Sequence, residues 1–235
     1  VMITPNWPAP TNVQTFCTVR QGGYSAPPYD SLNIAGHVGD DPTRVAKNRH
    51  LLPNYQNLVW LEQVHGNHAV ELKAGQTVDE PADASISRTP GVGCVVMTAD
   101  CLPMLVCDER GSVVAAVHGG WRGLAAGVIA NTIKKMAVPG EQLMVWLGPA
   151  IGPDAFEVGE EVLDHFIDCK TAFRKTAKPG KYLADIYQIA RHQLQALGVQ
   201  RCYGGNDCTF SDASRFFSYR RDGQTGRMAS AIWLT

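Results

Sequence analysis

The 235-residue sequence predicts an α+β sandwich, and three observations point there. Strand-length apolar runs and helix-period segments are mixed along the chain, without the regular alternation of a doubly wound sheet. The central run "VVMTADCLPMLVC" is apolar except at Thr98, Asp100 and Cys101, so its two halves read as buried strands. No internal repeat, low-complexity tract or Pro/Ser-rich linker divides the chain, so residues 1–235 are expected to form one domain.

The totals agree with a packed globular protein. A chain of this length buries roughly 70–75% of the surface its unfolded form exposes, so it needs no disulfide staple. Apolar residues make up 45% and charged ones 18%, which excludes intrinsic disorder. A net charge of -1 gives no electrostatic case for nucleic acid or for an anionic membrane. No apolar run approaches the length that spans a bilayer. "VMITPNWPAP" has neither a basic n-region nor an apolar h-region, and the seven cysteines are an odd number. The expectation is a cytoplasmic protein with reduced thiols, most of them core filler such as Cys94 and Cys107.

In chain order, "RQGGYSAPPYDSLN" is a turn-rich loop. A first helix starts at Asp41-Pro42, where Asp caps free N–H groups and Pro suits the first helical position. "NLVWLEQVH" is a short strand that leaves the core at Gln63, Val64 and His65. "GVGCVVMT", "LPMLVCD" and "SVVAAVH" are the central strands. "GGWRG" then opens one helix, with Leu124, Ala125, Val128, Ile129, Ile133 and Met136 at helical spacing. "QLMVWLG" is a further strand. "EEVLDHFIDC" predicts a helix with Val162, Leu163, Phe166 and Ile167 on one face, and "LADIYQIARHQLQAL" predicts another closed by Gly198. The tail predicts a hairpin around "DGQTG".

Three ligand-type residues sit where strand patterns break: His65 after "LEQV", Cys101 after "TAD" and His118 after "VAAV". Strand ends are where side chains from separate elements can meet at one rim of a sheet. Two imidazoles and a thiolate suit Zn²⁺ with a fourth position left open. The spacings of 36 and 17 residues match no ligand motif, so by spacing alone Cys101 also reads as a small buried residue between two locally bonded histidines. A Cys101–His118 nucleophile pair is a further reading. It is disfavoured because Asp100 beside the thiol would raise its pKa, a penalty that a coordinating metal overrides. Asp83 in "ADASIS" is a candidate partner for a ligating imidazole, and Asp100 is a second one. In "HGGWRGLAAG", Gly119 and Gly120 free N–H groups for an anion and Arg122 can grip phosphate or carboxylate. Arg20, Arg220 and Asn33 are lesser candidates for the same task. A lone glycine pair is also an ordinary tight turn.

The motifs "VWLEQVHG", "ADASIS", "MTADCLPMLVC", "AAVHGGWRGLAAGV", "WLGPAIGPDAFEVGEEV", "KYLADIYQIAR" and "FFSYRRDGQTGRMASAIWL" together resemble the bacterial YfiH family, also called the laccase-domain or multicopper polyphenol oxidoreductase family. The resemblance runs nearly end to end. It implies a single-domain α/β/β/α sandwich similar to the catalytic domain of cytotoxic necrotizing factor, with a zinc triad at His65, Cys101 and His118. Gly119 stands where related sequences often have Ala, a change expected to be harmless. The activity implied is phosphorolysis of adenosine, inosine, guanosine and methylthioadenosine, with adenosine deamination alongside. Two other roles implied are a peptidoglycan-editing amidase, acting on a serine-containing cell-wall precursor, and a copper-dependent polyphenol oxidase. A multicopper relay needs about ten His ligands, and this chain has seven His in all, so copper is at most an in vitro occupant of the triad. A non-catalytic, zinc-stabilised binding protein is the alternative from a different class, with Cys94, Cys107 or Asp100 as a fourth ligand. The partners expected are a purine nucleoside and phosphate.

Overall fold

The computed structural model describes residues 2–75 and 77–235. Two mixed sheets lie face to face. The five-stranded sheet runs in the order β1 (Met2–Ile3), β2 (Val13–Thr18), β14 (Met228–Leu234), β6 (Gly93–Thr98), β3 (Leu58–Val59). The six-stranded sheet runs β13 (Arg201–Gly204), β9 (Leu143–Leu147), β7 (Leu102–Asp108), β8 (Val114–Gly119), β5 (Ala84–Ser87), β4 (Ala69–Leu72). A small third sheet joins β10 (Glu157–Gly159), β12 (Lys181–Ala184) and β11 (Phe173–Lys175), and the sequence reading had no counterpart for it.

The period-2 alternation of a strand explains why the central runs are apolar throughout. On β7 and β8, Leu105, Cys107, Val114 and Ala116 face inward, where they meet Cys94 and Val96 of β6 and Ile232 and Leu234 of β14. The alternate residues Met104, Val106, Ala115 and Val117 face outward, under Ile129, Ile133 and Met136 of α3 (Val128–Met136) and Ile189 and Ala190 of α5 (Ile186–Ala196). On the five-stranded sheet, Val95, Met97, Ala229 and Ala231 turn outward against Ile34, Ala35 and Leu52. Both faces of both sheets are therefore covered, and no polar alternation can appear in these strands. The mixed α+β sandwich read from the sequence is the fold observed.

The helices need corrections. α1 (Pro42–His50) begins where expected, with the Asp41 carboxylate accepting from Thr43 N at 2.8 Å. The single helix expected after "GGWRG" is instead α2 (Trp121–Ala125) and α3, separated by Gly127 at φ +88°. That left-handed residue redirects the chain although the apolar spacing carries across it. "EEVLDHFIDC" forms only the single turn α4 (Glu160–Leu163), followed by 3₁₀ turns in which Phe166 and Cys169 leave helical geometry. Val162 and Phe166 are buried, but Ile167 of the expected apolar face is 60% exposed. The tail is not a hairpin. Ser218 accepts from Arg221 N at 3.2 Å and caps a short helix, α6 (Tyr219–Asp222). The strand after it, β14, pairs with the distant β2 and β6. Among the described residues, no helix is long and apolar enough to cross a membrane.

Candidate metal and substrate site

Three chain segments meet at one rim of the six-stranded sheet. Cys101 lies in the turn between β6 and β7, beside Asp100, whose φ of +92° bends the chain and breaks the strand run. His118 stands near the end of β8, opposite Pro103 of β7. His65 follows β3 with φ +61°. The three candidate ligand atoms lie within 4.8 Å of one another, and Cys101 Sγ is 3.7 Å from His65 Nε2. His118 is buried, Cys101 is half-buried and His65 is exposed, so the cluster opens to solvent on one side.

One carboxylate organises it. Asp83 Oδ1 is 2.7 Å from His118 Nδ1 and accepts from His65 N at 2.9 Å. Asp83 Oδ2 accepts from Gly66 N at 2.7 Å and Val64 N at 3.1 Å. Asp83 thus pins the strained loop that carries His65, and it holds the Nδ1 proton of His118, so Nε2 is the nitrogen that would give up its proton to a metal. Burial opposes the charge on Asp83, but these hydrogen bonds outweigh it and hold the pKa below the ordinary carboxylate value. Gly120 completes the packing, because a Cβ there would lie 2.8 Å from His65 Cδ2 and 3.2 Å from Cys101 Sγ.

Burial pushes the Cys101 thiol up, yet His118 and His65 reverse this and bring it down to about 6. His118 is lowered by burial, and Cys101 and Asp83 carry it up to about 9. The rise in thiol pKa that the sequence suggested from Asp100 is outweighed by the two imidazoles, and the Asp100 carboxylate is itself engaged. Its Oδ1 accepts from Thr209 Oγ1 at 2.6 Å and its Oδ2 from Arg220 N at 2.7 Å. Asp100 is a clip that docks α6 beside the thiol. The donor set fits a zinc-like ion: a stabilised thiolate, two imidazoles and a carboxylate that orients one of them. Among the described residues it is the one group of three or more His, Cys, Asp or Glu side chains so placed.

The cluster forms part of the wall of a cavity of about 580 Å³, within the range of small-molecule sites. Trp121, Ile151, Phe156 and Tyr219 supply apolar walls, and Arg122, Arg220 and Arg227 bring three guanidinium groups. Arg122 lies over the Trp121 ring at 4.4 Å, Arg220 over Phe156 at 5.6 Å, and Arg227 over Tyr219 at 5.8 Å. A larger groove, about 740 Å³ beside Trp60 and Val78, has no His, Cys or carboxylate among its lining residues.

The structure brings His65, Cys101, His118, Asp83, Asp100, Gly120, Arg122 and Arg220 to this site, and keeps three candidates out of it. Arg20 lies at a different surface depression, bonded to the Asp30 and Ala213 carbonyls and lying over Phe217. Asn33 is fully buried, with its amide shared among Ala35, Asp40 and Arg227 N. Gly119 faces the core, where a Cβ would meet Met104 Cε at 2.8 Å and the Leu102 carbonyl at 2.9 Å. Alanine is therefore tight at this position in this chain. α2 has only five residues, so the helix dipole expected to help bind an anion at "GGWRG" is small. The sequence reading missed Arg227 and His37, which also line the cavity. "GRMAS" and "AGHVG" carry no local pattern that marks them, since only the tertiary fold brings them here.

A family model described as multi-copper polyphenol oxidoreductase laccase matches residues 14–235. The purine nucleoside phosphorylase of Pseudomonas aeruginosa is 52% identical over 99% of this chain and 98% of its own length. Purine nucleoside phosphorylase YfiH of Escherichia coli is 51% identical, with the same coverage of each chain. A crystal structure of a Neisseria meningitidis protein superposes with a TM-score of 0.94 at 49% identity, covering 99% of this chain and 98% of that one. YlmD of Geobacillus stearothermophilus superposes with a TM-score of 0.88 at 31% identity, covering 95% and 92%.

Proposed function

The chain belongs to the YfiH family of purine nucleoside phosphorylases, and from that premise we propose that it cleaves purine nucleosides with phosphate. Phosphate oxygen bonds to C1′, the C1′–N9 bond breaks with its electron pair on the base, the proton given up by hydrogen phosphate balances the one the base takes, and the sugar 1-phosphate and free base are released. The observation that carries this reading is the His65–Cys101–His118 cluster opening into a cavity with three arginines. His65, Cys101 and His118 would hold a zinc ion, which would supply Lewis-acid chemistry at this end of the cavity.

The chain's own residues do the rest. Arg122, Arg220 and Arg227 neutralise and orient the phosphate dianion, which water would otherwise shield. Arg122 suits the part best, because no hydrogen bond to another described residue engages its guanidinium, whereas Arg220 Nη1 donates to the Glu157 carbonyl. Ile151, Phe156 and Trp121 exclude bulk water from the bond that breaks. Asp83 holds His118 and the His65 loop in place throughout.

Inosine, adenosine, guanosine and methylthioadenosine are the substrates proposed, with adenosine deamination as a second activity of the same cavity. Zinc-loaded protein incubated with inosine should release hypoxanthine and ribose 1-phosphate only when phosphate is present. Release of hypoxanthine at equal rate without phosphate would make the protein a hydrolase and contradict the proposal.

A further inference from the structure

Resting on the phosphorylase reading, we infer that His37 is the residue that recognises the purine ring, donating a hydrogen bond to N7 of the bound nucleoside. His37 lines the cavity, is solvent-exposed, and makes no side-chain hydrogen bond among the described residues. The segment around it is built to hold it there. Asn33 Oδ1 accepts from Ala35 N at 3.0 Å and from Arg227 N at 3.0 Å, and Asn33 Nδ2 donates to Asp40 Oδ2 at 2.9 Å. On the other flank, Tyr29 OH donates to the Val38 carbonyl at 2.7 Å. The loop is tied on both sides of an untied His37, and the same tie delivers Arg227 beside it.

The chemistry favours the base over phosphate as its ligand. Partial burial, with the Arg227 and Arg49 cations nearby, holds the His37 pKa below the usual histidine value, so at neutral pH the ring carries no charge. A neutral imidazole offers one donor and one acceptor, whereas a phosphate dianion needs several donors, and three guanidinium groups already provide those. The purine edge offers N7 as a lone acceptor. Negative charge grows on the ring as the C1′–N9 bond breaks, so a donor at N7 binds the transition state more tightly than the ground state. Tyr219 and Met97 on the same lining give the ring apolar neighbours.

The test is calorimetric titration of zinc-loaded protein, without phosphate, with inosine and with 7-deazainosine, which has C–H in place of N7. Wild type should bind inosine about 3- to 10-fold more tightly, the worth of one neutral hydrogen bond. His37→Ala should bring that ratio to about one, and His37→Gln should keep part of it, because its amide retains an N–H. A ratio unchanged in His37→Ala, or a separate titration with inorganic phosphate in which that variant loses affinity, overturns the inference. If wild type binds neither nucleoside, the phosphorylase reading fails with it, an outcome distinct from the other two.

Discussion

Asp83→Asn separates the role of one carboxylate from that of the ligands it serves. The substitution preserves volume and replaces one oxygen by an NH₂. In the wild type, two oxygens accept four hydrogen bonds, from His118, His65, Gly66 and Val64. If the amide nitrogen takes the place of Oδ2, it faces Gly66 N and Val64 N, two donors that it cannot satisfy. If it takes the place of Oδ1, it opposes His65 N and donates to His118 Nδ1, which moves the imidazole proton to Nε2 and blocks the metal-facing nitrogen. The first orientation loses two hydrogen bonds to a buried charge and the second loses one, at about 1.5–3 kcal/mol each, so the expected loss is about 1.5–6 kcal/mol. For a chain of this size that corresponds to a fall in Tm of roughly 3–24 °C. Zinc affinity should fall about 10- to 100-fold, as for other hydrogen-bond partners of ligating histidines. Competition against a chelating dye measures the affinity, and thermal unfolding of the chelator-treated protein measures the stability. Wild-type zinc affinity together with an unchanged Tm would refute the claim that Asp83 organises the site.

Three further outcomes are expected. Leu105→Ala opens a cavity between the two sheets, where Leu105 is fully buried, and should cost about 2–5 kcal/mol in urea unfolding. Gly120→Ala should leave the secondary-structure spectrum intact while lowering turnover on the order of 10²-fold, because its Cβ would displace the His65 ring and the Cys101 sulfur. At Asp108, burial opposes the charge, but hydrogen bonds from Val113 N and from Ser112 win and depress its pKa below 3.8. A depressed carboxylate stabilises the fold above its unfolded pKa, and that contribution disappears as pH falls through the folded value. Urea midpoints of wild type should therefore drop below about pH 4 more steeply than those of Asp108→Asn, and parallel curves would remove Asp108 from the acid response.

The parts of the fold that were legible in the sequence are those set by local periodicity. The central strands were readable because both sheet faces are covered, and the Asp41 cap because its partner, Thr43, is two residues away. The metal cluster was visible as interruptions: an apolar run broken at Asp100-Cys101 needed a reason, and a thiolate leaving the core supplies one. Features fixed by distant partners were not legible. "DGQTG" has turn residues, yet it follows the single-turn α6, and β14 finds its partners more than a hundred residues upstream. Gly127 breaks a helix through its positive φ, which apolar spacing does not register. Asn33 shares with substrate-binding residues a polar side chain in a Gly-rich loop, and only its full burial shows that it ties Arg227 to the His37 loop. Arg20 and Arg220 look alike in sequence, but one contacts backbone at a remote surface and the other lines the cavity.

The most direct test of the account compares wild type with Cys101→Ala for base release from inosine in the presence of phosphate. Removing the thiolate takes away one of the three ligands while leaving the arginines of the cavity in place. The account predicts hypoxanthine and ribose 1-phosphate in equal amounts from wild type and none above background from the variant, with both proteins folded. Equal turnover by a folded Cys101→Ala would show that the phosphorolysis does not pass through this cluster.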